Sequence, residues 1–154
     1  MKKIVLIGFI LLTTAGFSQR STYNNLFEKN GNIGIGTRTP DAMLTVKGKI
    51  HTQEVLVDLE GAVAPDYVFE SYYKGASDLK PSYKLLRLTE LEYFIEKNHH
   101  LPGVPSAKML EKYGLPLKEM NLILLEKVEE LTLYLLEQKK EIEALKEKYA
   151  SLKE

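Results

Sequence analysis

The stretch LKEMNLILLEKVEELTLYLLEQKKEIEALKEKYASL, residues 117–152, decides the architecture. With Asn121, Val128, Leu135, Ile142 and Tyr149 at position a of a heptad, position d falls on Leu117, Leu124, Leu131, Gln138, Leu145 and Leu152. Neither Gly nor Pro interrupts the spacing after Pro116. One straight helix cannot bury a stripe this long and narrow against itself, so the pattern predicts a coiled coil with partner helices, most simply copies of the same chain. Early in the helix the apolar surface is wider: Leu122, Ile123, Leu125, Leu133 and Leu136 lie outside a and d. From Lys139 onward Lys and Glu fill the flanks. The expectation is a first half wrapped by the preceding residues and a second half of bare coiled coil. Asn121 and Gln138 place amides in the seam, which cost stability and select register. Leu at d with some β-branched residues at a leans toward a dimer on heptad rules alone.

Immediately upstream, residues 99–105 form a turn-rich loop around Pro102-Gly103 and Pro105. Ser106 is placed to cap a short helix that Gly114 ends, and Pro116 suits the first turn of the long one. Before that loop, Thr89 with Glu92 three residues on predicts a capping box, with Leu88 and Tyr93 as the staple and Leu91, Phe94 and Ile95 as the buried side. The segment 88–114 is expected to pack around the first turns of the long helix. Further back, residues 66–70 with 71–73, and residues 83–86, suggest short strands, separated by a loop at residues 74–78.

The glycine segment Gly31-Asn32-Ile33-Gly34-Ile35-Gly36-Thr37 alternates Ile33 and Ile35 with small or polar residues, the period of a strand with one bare face that lets another backbone approach. Thr39-Pro40-Asp41 is a turn, Leu44 and Val46 continue the alternation, and residues 54–57 suggest another short strand. The glycines run G-x-x-G-x-G, the reverse of the dinucleotide fingerprint; no apolar strand precedes them and Pro40 spoils the helix that should follow. Thr37 stands where a phosphate loop needs Lys.

At the N-terminus, Met1-Lys2-Lys3, the apolar run 4–12 and Gly16-Phe17-Ser18 form a secretory-signal pattern with cleavage before Gln19, too short for a comfortable membrane span. The 21 basic residues less Lys2 and Lys3 leave 19 against 21 acidic ones, a net charge near −2 after cleavage. That balance offers no footprint for nucleic acid or an anionic membrane. Cysteine is absent, which excludes disulfides, thiolate metal sites and a lipoprotein anchor, and leaves oligomerisation as the expected source of stability. The division predicted is a signal peptide at 1–18, a flexible leader at 19–30, a glycine-rich β-stem at 31–63, a small α+β module at 64–116 and the coiled-coil helix at 117–154. The fold class is α+β, and the localisation secreted or cell-surface.

Three segments together resemble a family of exported fibre-tip proteins of Bacteroidetes-type bacteria, related to phage tail-fibre ends. They are Gly31 to Thr37 with Pro40 and Leu44-Thr45-Val46-Lys47-Gly48-Lys49-Ile50; Asp66-Tyr67-Val68-Phe69-Glu70; and the run from Asn98-His99-His100-Leu101-Pro102-Gly103-Val104-Pro105-Ser106-Ala107 through Glu119-Met120-Asn121 to Tyr134. The resemblance implies a trimeric fibre with a glycine-rich stem and a three-stranded coiled coil, and so a trimer in place of the dimer. It is also similar, more distantly, to endosialidase-type intramolecular chaperone domains, which trimerise a fibre and then cut themselves off with a serine and a lysine in a Ser-Asp-x-Arg-x-Lys motif. Here Ser77-Asp78-Leu79-Lys80-Pro81-Ser82 matches the first two residues, while Lys80 replaces the arginine and Ser82 the lysine. A serine without its base is not activated, and Lys84 is the nearest substitute. Self-cleavage at Ser77 is therefore the alternative, and a non-catalytic assembly protein the main reading.

Adjacent His99 and His100 on an extended loop point to opposite sides, and His51 has no companion, so no metal or other cofactor is expected. Tyr67, Tyr72, Tyr73, Tyr83 and Tyr93 fit the core of a fold without tryptophan, or else a sugar-stacking face for a cell-surface glycan.

Overall fold

The computed structural model describes residues 24–153, so the signal-peptide pattern at 1–18 lies outside the described residues. The chain divides into two compact units, one ending at Val55 and one beginning at Leu56.

The first unit is a three-stranded sheet in the order β1 (Leu26–Lys29), β2 (Asn32–Ile35), β3 (Leu44–Val46). β1 corrects the expected leader. Asn30 (φ 55°) and Gly31 (φ 80°) both take left-handed backbone, the geometry of a type I′ turn, so β1 and β2 form an antiparallel hairpin pairing Phe27 with Gly34. β3 then returns parallel to β2, with Gly34 opposite Thr45. Such a short parallel return is uncommon and depends on local devices. Thr45 Oγ1 accepts from the Asp41 and Ala42 amides and donates to Asp41 Oδ1 at 2.8 Å. The missing side chain of Gly34 lets Thr37 O of the crossover loop approach, where a Cβ would collide with it. Gly34→Ala should therefore cost about 1–3 kcal/mol, read as faster hydrogen exchange at the Ile33 and Lys47 amides, which bond to Met43 O and Ile35 O across the β2–β3 pair. Unchanged exchange would show that the loop moves aside freely. The opposite sheet face carries Leu26, Ile33, Ile35 and Leu44, all more than two-fifths exposed. The residues expected as a strand at 54–57 are irregular.

The second unit is helical: α1 (Tyr67–Lys74), α2 (Leu88–Asn98), α3 (Ala107–Tyr113) and α4 (Leu117–Ser151). Among the described residues the only strands are those of the first unit, so residues 64–116 are helix and loop, not α+β.

α1 replaces the strand expected over 66–73. Tyr67, Val68 and Phe69 are consecutive and do not truly alternate. Glu70 and Lys74 pair at 3.1 Å across one helical turn, and Gly75 ends the helix in left-handed backbone (φ 86°), its amide donating to Ser71 O. Burial of Tyr67 and Val68 against Leu133 of α4 decides the outcome over the strand preference of aromatics. Phe69, Tyr72, Tyr83 and Leu85 pack round that cluster. Residues 83–86 cover it as irregular chain, not as the expected strand.

α2 starts earlier than the Thr89–Glu92 reading. Arg87 is extended (ψ 151°), and its amide donates to Glu90 Oε2 at 3.0 Å, so a carboxylate satisfies the helix start where a hydroxyl was expected. α3 follows Ser106 and stops at Gly114 as the residues predict, though the Ser106 hydroxyl makes no capping bond. Pro116 precedes the first turn of α4, its carbonyl accepting from Met120 N.

Candidate assembly interface

α4 presents two faces with opposite fates. Met120, Glu126, Lys127, Glu129, Leu133 and Tyr134 are its buried residues; in the heptad frame they occupy positions b, f and g. Every a and d residue is exposed. The apolar ones range from 49% at Leu124 to 76% at Leu152, through Leu117, Val128, Leu131, Leu135, Ile142, Leu145 and Tyr149, and Asn121 and Gln138 are exposed with them. From Gln138 to Leu152 no residue is buried. The first half of the helix is thus wrapped and the second half bare, as the pattern predicts. The buried part of the wrapping comes from α1 and residues 79–86; from 88–114, Leu91, Pro102 and Gly103 only border a cleft with Glu126, Lys127, Glu130 and Tyr134, and α2 and α3 contain no buried residue.

The wrapped face is held by a polar network that the heptad reading missed. Glu126 accepts from the Tyr67 hydroxyl, from Lys80 Nζ at 3.0 Å and from Lys127 Nζ at 2.8 Å. Lys127 also reaches Glu130 at 2.9 Å, and Tyr83 donates to Glu130 at 3.1 Å. Tyr134 donates to Leu86 O at 2.6 Å, tying the irregular segment to the helix. Burial alone would raise the Glu126 carboxyl; the donors Lys127, Tyr67 and Lys80 outweigh it and hold the value at about 2. Burial and the adjoining carboxylates push the Tyr134 hydroxyl up to about 12 and raise Tyr83 as well. The sequence signal for this network was four charges, Glu126, Lys127, Glu129 and Glu130, in the one part of α4 whose non-seam face is otherwise apolar.

Glu129 is the exception. Its Oε2 is buried with no hydrogen-bond partner. Burial, then Asp66 and Glu126, raise its carboxyl above the usual range. The two acids therefore titrate with opposite sign. Glu126, depressed in the fold, contributes stability that is lost as pH falls from about 4.5 toward 2. Glu129, raised, destabilises increasingly as pH climbs through and above 4.5. Glu129→Gln is expected to raise the melting temperature at neutral pH, with the gain shrinking as pH approaches 4.5. A constant gain across that range would mean that Glu129 does not titrate differently in the fold.

Ser77 is 4% exposed. Its hydroxyl donates to Glu70 Oε2 at 2.6 Å and accepts from the Leu79 amide at 3.2 Å. The Ser77 and Lys74 donors keep Glu70 below its ordinary value, which makes it a weak base. Lys80 is committed to Glu126 and Tyr67, and neither it nor Lys84 bonds Ser77. These contacts tie the loop after α1 to that helix.

His99 ends α2 in left-handed backbone (φ 59°), and the His100 ring lies edge-on to Phe94 at 5.7 Å. The described residues contain no group of three or more potential ligands placed for a metal. Nor is any described helix long and apolar enough to cross a membrane. The tyrosines divide: Tyr67 is buried and Tyr72 and Tyr83 are partly buried, while Tyr73 and Tyr93 are about two-thirds exposed. In the first unit, Gly31, Ile33, Gly34, Ile35 and Gly36 lie in or beside β2. No protein-family model, curated protein or solved structure matches the chain.

Proposed function

We propose that the protein is an exported, non-catalytic assembly module, a homotrimer forming the end of a fibre or surface appendage. The observation that carries this is the a/d stripe of α4. Its apolar residues are at least 49% exposed over the whole helix, while the same chain covers the other side. Leaving that area in water is costly, and copies of the same helix are the simplest cover. The bare apolar face of the sheet supports the same reading, since three strands of three or four residues gain little stability unless that face is covered. The choice of three chains rests on the resemblance to exported fibre tips, as does the appendage role. Secretion rests on residues 1–18.

Light scattering with intact-mass spectrometry on residues 19–154 tests the proposal. Three full-length chains per particle support it. A monomer overturns it. Two fragments per chain, abolished by Ser77→Ala, would instead establish self-cleavage, for which the geometry around Ser77 supplies no strong base. A cell-surface glycan is the ligand class that the exposed Tyr73 ring would suit by stacking.

A further inference from the structure

α2 is an 11-residue helix with no buried residue, too short to be stable on its own propensity. Its outer face forms an apolar groove of Leu88, Leu91 and Ile95 rimmed by Glu92 and Glu96. Something beyond this chain's own contacts must cover it, and the position of the groove identifies what. Leu91 shares a cleft of about 300 Å³ with Lys127 and Tyr134, and the chain entering α2 is bonded to Tyr134 through Leu86 O. Both α4 residues are heptad position g. α2 therefore begins beside the g flank of its own helix.

The e flank is Lys118, Leu125, Thr132, Lys139, Lys146 and Lys153. In an antiparallel bundle e flanks face each other and these lysines would repel. In a parallel, in-register bundle each g residue meets the e residue five positions on in its neighbour. Of the g residues, Met120, Lys127 and Tyr134 are already covered by their own chain, so only Glu141 with Lys146 and Lys148 with Lys153 meet directly, one opposite-charge and one like-charge pair. Parallel assembly thus brings the neighbour's e flank, with Leu125 46% exposed and Lys139 beyond it, to the side where the acid-rimmed groove of α2 lies.

We infer that the groove of α2 is the docking surface for the e flank of the neighbouring copy's α4, Leu125 and Thr132 lying along the apolar floor, whose length they match at about 1.5 Å per residue, and Lys139 beyond them reaching toward the acidic rim of Glu92 and Glu96. Each α2 then stands between two helices of the bundle and is stabilised only on assembly. The inference rests on the assembly proposed above.

The absence of native cysteine allows a direct test with a short bismaleimide on the full secreted chain. The double variant Leu91→Cys/Thr132→Cys is expected to give covalent dimers and trimers on a denaturing gel, and each single variant only monomers. Leu131→Cys, in the seam, is the control. Cross-linking of the control with a double variant that stays monomeric overturns the docking and leaves the assembly standing. Failure of the control as well overturns both.

Discussion

Leu124→Asp combined with Leu131→Asp is expected to convert the particle to single chains. Each leucine sits at d, is about half exposed in the isolated chain, and loses about 1.5–3 kcal/mol of burial when a bundle cannot form. In a trimer each substitution occurs three times in one layer, so carboxylates would meet around the axis with nothing to pair them. The loss exceeds what the remaining layers supply, because Asn121 and Gln138 on either side are themselves polar. Light scattering should report a threefold fall in mass. Far-ultraviolet circular dichroism should lose part of the helical signal of residues 138–151, which make no buried contact of their own and would fray from the anchored first half of α4 without tertiary packing. Gel filtration of the wild type and the double variant at equal mass would sink the coiled-coil reading.

The second large effect lies on the opposite face. Lys127→Met should destabilise the second unit by about 3–5 kcal/mol. Lys127 Nζ stands between Glu126 and Glu130, at 2.8 and 2.9 Å, and its side chain is 9% exposed against 12% for each acid. Without it two carboxylates share a site with only Lys80, 43% exposed, to compensate. The protein has nine tyrosines and no tryptophan, so urea unfolding can be followed by tyrosine fluorescence, with Lys127→Arg as the variant that should retain most of the stability. A change below about 0.5 kcal/mol for Lys127→Met, the size of an ordinary surface substitution, would mean that the network is solvated and does not hold α1 and residues 79–86 to the helix. The two substitutions should also separate in kind: the seam pair changes mass, and Lys127→Met changes stability.

Several features were legible before any fold was seen, and others were legible but misread. The extent of α4 and the contrast between its halves follow from the heptad spacing and from where Lys and Glu take over. Gly114 and Pro116 mark the break before it because one ends a helix and the other cannot continue one. The hairpin was equally available: Asn30-Gly31 between Leu26-Phe27 and Ile33-Ile35 is a strong short-range turn signal. Reading residues 19–30 as a leader missed it by giving polarity more weight than turn chemistry. The strand expected over 66–73 failed for a different reason. Aromatic and β-branched residues favour strands, but that preference is mainly one for a half-buried surface, and here a helical surface against Leu133 supplied it.

By itself, the sequence determined the periodicities, and with them a long amphipathic helix and a glycine-bearing β unit. Only the tertiary structure decided which side of α4 its own chain would use. Periodicity is a local property that identifies a stripe, whereas burial depends on which distant segment arrives to cover it. Tyr67 and Glu126 are 59 positions apart and Tyr134 and Leu86 are 48, and no local pattern encodes those pairings. They place the folded unit on positions b, f and g, and leave a and d exposed.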